Sequence, residues 1–237
     1  MHSIVVFAKD PRPGSVKTRL TPFLSPEEAA DLYQAFIRDT LRTALCVPGT
    51  QTCVAFTPQE AEASLQALTE SNAIEWFPQS GDSLGSRLQA AFDHAFQQGA
   101  SRVVTIGSDC PSLQPSVLSQ AFEALSGSDV VLGPATDGGY YLIGLANQGS
   151  ESDRYRTLFK DIAWSTETVY EQTLGAIDDV RLTLMELPEW SDVDKPVDLL
   201  RLIDQIRSRR GAGDRDLALH TEPMLHTLLS RIETASI

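Results

Sequence analysis

The chain has 237 residues, is 42% hydrophobic and 22% charged, and carries a formal net charge of -13, with a sequence pI near 4.6. That size allows one large domain with a sizeable core, and the acidity argues against nucleic acid or an anionic membrane as the main partner. No apolar run approaches the roughly 20 residues of a membrane span, the amino terminus has no leader-like pattern, and Cys46, Cys53 and Cys110 lack metal-ligand spacing. These features predict a soluble, cytoplasmic protein with reduced thiols.

Along the chain, strand-like and helix-like stretches alternate without internal repeats. That order predicts an α/β protein of three layers, α/β/α, with a mostly parallel sheet and helices on both faces. The first strand, Ile4 to Ala8, runs into Lys9-Asp10-Pro11-Arg12-Pro13-Gly14-Ser15-Val16-Lys17-Thr18-Arg19-Leu20. Four of the nineteen Lys and Arg residues lie in positions 9 to 19. Such a concentration on an acidic background, just after a buried-type strand, marks a site for a multiply anionic ligand. Gly14 and the prolines keep this loop out of helix.

Ser25-Pro26-Glu27-Glu28 supplies a cap, a first-turn proline and a capping-box glutamate for a helix to about Leu45. A strand over Gln51 to Phe56 precedes a second start signal, Thr57-Pro58-Gln59-Glu60, with a helix predicted to about Thr69. Ile74 to Phe77 reads as a short strand. Gly81-Asp82-Ser83-Leu84-Gly85 is a loop entering a helix that ends near Gly99. Arg102 to Gly107 has the apolar run of a central parallel strand and stops at Ser108-Asp109-Cys110-Pro111. After a helix over Pro115 to Leu125, the strand Asp129 to Pro134 leads through Asp137-Gly138-Gly139 into Tyr140 to Leu145, a strand with antiparallel potential.

Ser165 to Leu174 is predicted helical and Arg181 to Leu187 a late strand. Val197 to Ile206 follows as an apolar-periodic helix, residues 209 to 216 read as a linker, and Glu222 to Ile232 as an amphipathic helix that packs on the domain or on a partner subunit. The expected organisation is one domain over residues 1–208, then linker and helix over 209–237, with the last helix the candidate homodimer surface.

Strand ends bring Asp109, Asp137 and either Asp192 or Asp194 to the edge that carries the cationic loop. Hard oxygen ligands of this kind suit Mg2+ or Mn2+, which bind through one or two carboxylates with phosphate oxygens and waters. Cations for phosphates and carboxylates for a metal are the parts of a phosphoryl or nucleotidyl site. Other nucleotide and hydrolase motifs fail: a P-loop needs glycines where Val16 and Pro11 stand, and neither Gly-x-Gly-x-x-Gly after the first strand nor Gly-x-Ser-x-Gly is present. The histidines, His2, His94, His220 and His226, are scattered and read as surface or packing residues, and Cys110 as a space-filling one.

With these segments assembled, the chain resembles the nucleotide-diphospho-sugar transferase superfamily, of glycosyltransferase A-type fold, and within it a bacterial group of glycosyltransferases and radical-SAM/selenodomain-associated transferases. The matching stretches are Phe7 to Leu20, Gly81 to Leu88, Ile106 to Leu113, Leu132 to Leu145, Ile162 to Thr166 and Asp192 to Leu199. Lys17-Thr18-Arg19-Leu20 with Leu24 to Glu28 is similar to the loop of 2-phospho-L-lactate guanylyltransferases. Asp194 in Val193-Asp194-Lys195-Pro196 is similar to the magnesium-binding aspartate of sugar-acid cytidylyltransferases, which acts with a strand-end aspartate that Asp109 matches.

The resemblance implies an enzyme in which Lys17 and Arg19 hold nucleotide phosphates, Ala8, Lys9 and Gly14 also belong to the nucleotide site, and Gly81, Asp82, Leu84 and Gly85 approach base or ribose. Asp109 and Asp194 would hold Mg2+ or Mn2+, and Asp137, Gly138, Gly139 and Tyr140 would face the acceptor. Lys17, Arg19, Asp109 and Asp137 are the catalytic candidates. A single carboxylate at Ser108-Asp109-Cys110, in place of Asp-x-Asp, favours nucleotidyl transfer from a nucleoside triphosphate to a small phosphorylated acceptor, with pyrophosphate release. Glycosyl transfer from a nucleotide sugar, with Asp137 as base, and nucleotide binding without turnover are the alternatives.

Overall fold

The computed structural model describes residues 1–21, 23–147, 149 and 153–235. Seven strands form one sheet: β1 (His2–Lys9), β2 (Thr50–Thr57), β3 (Ile74–Pro78), β4 (Arg102–Gly107), β5 (Val130–Pro134), β6 (Tyr140–Ala146) and β7 (Leu184–Glu186), in the order β3-β2-β1-β4-β6-β5-β7. All neighbours run parallel except β6, which is antiparallel to β4 and β5. The short connection from Pro134 to Tyr140 forces that reversal, because a parallel return needs a crossover of a dozen or more residues.

The helices are α1 (Pro26–Leu45), α2 (Glu62–Gln66), α3 (Leu84–Gln97), α4 (Pro115–Ala124), α5 (Asp153–Arg156), α6 (Val169–Asp179), α7 (Pro196–Gly211) and α8 (Thr221–Ala235). They cover both faces. The strand period of two sends Ile4 and Val6, with Val54, Val104 and Ile106, into a core roofed by α1, α4, α7 and α8. Val5, Cys53, Val103, Leu132 and Ile143 face the other way, into a second core roofed by α3 and α6. The three layers expected of the sequence are present.

Several element ends differ from expectation. The stretch after β2 is a 3-10 turn, Gln59–Ala61, followed by the single turn of α2, because only Ala61, Leu65 and Leu68 are buried there. Helix α6 starts at Val169 rather than Ser165: Ser165 has φ 65°, and the Thr166 hydroxyl donates to the Ala163 carbonyl, which holds the chain in a local turn. Helix α7 runs past Ile206 to Gly211, since Arg210 is anchored to Glu222 and to the carbonyls of Asp214 and Leu217. The connection to α8 is therefore shorter than the predicted linker.

Helix α8 docks on its own chain, with Leu225 and Leu228 in the core beside α1 and α7. The buried Asp39 carboxylate of α1 accepts from the backbone N–H groups of His220 and Thr221 at 3.0 and 2.9 Å, capping that helix. No helix among the described residues is long and apolar enough to cross a membrane.

Candidate functional site

From β1 the chain passes through α1 to β2 and β3, then crosses back through α3 to β4 on the other side of β1. This reversal leaves a crevice outside the carboxyl ends of β1 and β4, where open α/β sheets bind ligands. A cleft of about 540 Å³ opens there, lined by the loop from Ser15 to Arg19, by Phe7 to Lys9, by Thr105 to Asp109 and by Asp194.

The two strand ends are tied together. Ser108 donates to the Phe7 carbonyl at 3.1 Å, and the Tyr33 hydroxyl of α1 bonds Ser108 at 2.7 Å while accepting from the Lys9 N–H at 3.2 Å. Burial and the nearby Asp109 charge push the Tyr33 phenol up to about 12, so it stays a neutral strut. Beyond Asp109, its carbonyl accepts from Val193 N–H at 3.0 Å, fixing the segment after β7 against the end of β4.

Lys17 sits at the centre of this arrangement. Its backbone is left-handed, at φ 49°, ahead of the 3-10 turn Thr18–Leu20, and the burial of Val16 and Leu20 on either side draws it inward. The side chain is only 4% exposed. Its ammonium lies 2.6 Å from Asp109 Oδ1 and 2.7 Å from both Asp194 Oδ1 and the Val193 carbonyl, over the rings of Tyr33 and Phe36. An ammonium has three N–H donors, and each has an acceptor inside the protein.

The two carboxylates outweigh desolvation and hold the Lys17 ammonium well above its ordinary value. Burial opposes, but Lys17 and then Arg19 overcome it and hold Asp194 below its usual range. Asp192 behaves oppositely: desolvation, then Asp137 and Asp194, push it up to about 6.

Asp109 and Asp194 are 45% and 37% exposed at the side chain, so each keeps an outward face toward the cleft. Among the described residues no group of three or more His, Cys, Asp or Glu is preassembled as a metal cage. Two convergent carboxylates with open outer faces fit a hard divalent cation completed by phosphate and water oxygens, the usual manner of Mg2+.

Of the nucleotide-binding candidates, Ala8, Lys9, Lys17, Arg19 and Leu84 line the cleft, whereas Gly14, Gly81, Asp82 and Gly85 do not. Gly85 instead lets α3 approach the Phe159 carbonyl and the Trp164 indole, which a Cβ would strike. Gly81 has φ 125° and packs on Ser86. Tyr140 lines the cleft, but Asp137, Gly138 and Gly139 lie beyond it, in a turn where Asp137 Oδ1 accepts from Gly139 N–H at 2.9 Å.

Several lining residues escaped the sequence reading, among them Arg87, Gln79 and Thr105. Arg87 of α3 donates to the Gly81 carbonyl at 2.9 Å and turns its remaining face to the cleft. The Gln79 amide nitrogen is held by the Ala55 carbonyl at 2.8 Å, which leaves the amide oxygen without a partner among the described residues. Thr105 has a buried hydroxyl without a partner among the described residues. Arg87 lies in one of the stretches that carry the resemblance, and a cation in the first turn of α3 is the signal that could have found it. Arg12 is spent on Asp10. His94 stacks on Phe77 and bonds Glu75 at 2.7 Å, outside the cleft. Burial, then Asp109 and Asp192, hold the Cys110 thiol far up and protonated, a poor nucleophile.

The sheet is that of the nucleotide-diphospho-sugar transferases. A protein of Desulfovibrio desulfuricans G20, assigned provisionally to that class, superposes with a TM-score of 0.85 at 30% identity over 98% of this chain and 97% of its own. The CMP:2-keto-3-deoxy-manno-octonic acid synthetase, crystallised with CTP, shares the fold at a TM-score of 0.56 and 14% identity, over 88% of this chain and 99% of its own.

The chain belongs to the family described as "Uncharacterized protein conserved in bacteria (DUF2064)", whose model matches residues 40–166. Phosphoenolpyruvate guanylyltransferase of Mycobacterium leprae (strain Br4923) is 32% identical over 115 residues, 48% of this chain and 53% of that protein. The chain spans about half the length of the curated relatives it matches.

Proposed function

We propose that this protein is a divalent-metal-dependent nucleotidyltransferase, acting on a nucleoside triphosphate and a small anionic acceptor. The observation that carries this reading is the convergence of Asp109 and Asp194 on one buried ammonium, at the floor of a cleft whose rim is cationic. Its likeness to guanylyltransferases over half their length supports the same class of reaction.

In that reaction an acceptor oxygen forms a bond to the α-phosphorus in line with the bridging oxygen. The bond from phosphorus to that bridging oxygen breaks, and its electron pair leaves with pyrophosphate. An acceptor that is already anionic gives up no proton, so no general base is required. Asp109 and Asp194 would hold Mg2+ or Mn2+, which when bound supplies charge neutralisation at the phosphate oxygens.

Lys17 is a positioning residue in this scheme: it spends its donors on the two carboxylates and the Val193 carbonyl, and fixes their spacing before ligand arrives. Arg19 and Lys9, exposed at the cleft, are the cations left to meet the triphosphate. Arg87 and the Gln79 oxygen, which also line the cleft, would contact base or ribose.

The test follows pyrophosphate release with each nucleoside triphosphate, Mg2+ and a panel of phosphorylated acceptors. Release that depends on acceptor and is abolished in Asp109→Ala supports the proposal. Turnover confined to nucleotide sugars, or binding without any turnover, overturns it.

A further inference from the structure

Lys17 and Arg19 both pair with Asp194, but they differ in how firmly they are held there. Lys17 takes Asp109 Oδ1 at 2.6 Å and Asp194 Oδ1 at 2.7 Å, gives its third donor to the Val193 carbonyl, and is 4% exposed. Arg19 Nη1 lies 3.5 Å from the other oxygen, Asp194 Oδ2, and its side chain is 65% exposed, with no other partner among the described residues. An exposed ion pair at that distance contributes little in water. Of the two cations, Arg19 is therefore the one that a stronger anion can draw away.

In the free protein the two carboxylates face two cations, Lys17 and Arg19, while Lys9 and Asp192 act on Asp194 with opposite signs. The set is close to neutral, so a bare divalent cation gains little from Coulomb attraction there. With both Oδ1 atoms on Lys17, the oxygens left for such an ion are Asp109 Oδ2 and Asp194 Oδ2, and Arg19 stands at the second. A triphosphate changes that balance. It brings several negative charges into the cleft that Arg19 lines, and a guanidinium matches phosphate oxygens with paired donors, a better partner than one carboxylate oxygen at 3.5 Å. Once Arg19 turns to phosphate, Asp194 Oδ2 loses its counter-charge beside ligand oxygens that a hard cation also binds.

We infer that Arg19 is an exchangeable counterion: it weakens the hold of Asp109 and Asp194 on a bare divalent cation, and it transfers from Asp194 to the triphosphate, so that metal is taken up with the nucleotide and not before it. The transfer to phosphate rests on the nucleotidyltransferase reading, whereas the competition with bare metal does not. Lys17 stays in place throughout and keeps the carboxylates spaced.

The test measures two affinities of the full chain separately: Mn2+ without nucleotide, from the electron paramagnetic resonance signal of the unbound ion, and each nucleoside triphosphate by calorimetry in EDTA. Arg19→Ala is expected to bind bare Mn2+ about two- to fivefold more tightly than wild type, the worth of one exposed ion pair. The same variant should bind triphosphate about tenfold or more weakly, the worth of one charge-assisted hydrogen bond. Arg19→Lys, which keeps the charge, should return Mn2+ affinity to the wild-type value. A general disturbance of the loop weakens both ligands, so opposite signs from one substitution are specific to exchange. Mn2+ affinity in Arg19→Ala at or below wild type, or triphosphate binding unchanged by it, overturns the exchange even where acceptor-dependent pyrophosphate release stands. Tighter Mn2+ binding in Arg19→Ala, with no triphosphate bound by the wild type, keeps the competition with metal and removes both the transfer to phosphate and the reaction proposed above.

Discussion

Lys17→Met removes the charge from the centre of the site while keeping an unbranched apolar stem. In the wild type the ammonium contacts two carboxylate oxygens at 2.6 and 2.7 Å and is 4% exposed. Removing one partner of a fully buried pair costs about 3–5 kcal/mol, but water screens Asp109 and Asp194 at 45% and 37% exposure, so about 1–3 kcal/mol is expected at neutral pH. For a domain of this size, about 2 kcal/mol lowers the thermal midpoint by roughly 4–8 °C.

The sign with pH follows from Asp194, whose carboxyl Lys17 holds below its ordinary range. That contribution is present above the unfolded carboxylate pKa and is lost as pH falls through the folded one. Wild type and variant should therefore differ most near pH 7 and converge in acid, in differential scanning fluorimetry from pH 3 to 8. Mg2+ should raise the variant's midpoint more than the wild type's, since it restores a cation between the carboxylates. A variant of wild-type stability at pH 7 whose only defect is a raised KM for the triphosphate would refute the positioning role and make Lys17 a phosphate ligand.

Asp109→Asn should lower acceptor-dependent pyrophosphate release by about 100-fold or more, at least the cost of disturbing a metal's outer-shell partner, with an unchanged far-UV spectrum. Asp192, pushed up to about 6 by burial and by Asp137 and Asp194, binds its proton more tightly folded than unfolded. Stability from this group is present below the ordinary carboxylate pKa and is lost as pH rises to about 6, so Asp192→Asn should raise the midpoint at pH 7 and leave it unchanged near pH 3. Equal midpoints at pH 7 would count against the shift. Gly138 has φ 88°, and a Cβ there would strike the Glu167 carbonyl. Gly138→Ala should cost about 1–3 kcal/mol in urea denaturation, and a cost within error would show that the turn before β6 yields freely.

The sheet was legible because its strands are apolar runs bounded by turn formers, and the reversal at β6 because Pro134 to Tyr140 is too short for a crossover. The start of α6 was not, since the threonine bonds that delay it compete with helix through side chains that propensity alone does not weigh. Asp109 and the cationic loop were legible as strand-end residues. Their division of labour was not. A Lys-x-Arg loop reads as two equivalent phosphate ligands, and the distinction between them comes from long-range contact, Lys17 meeting Asp194 at a separation of 177 residues. Val16 and Leu20 are buried, so the intervening 3-10 turn sends Lys17 inward and leaves Arg19 outside, 3.5 Å from the other oxygen of Asp194. One loop thus organises the carboxylates with its inner cation and faces the ligand with its outer one. If both cations held phosphate, Asp109 and Asp194 would meet with no compensating charge in the free protein, and their mutual repulsion would oppose the spacing that a metal requires.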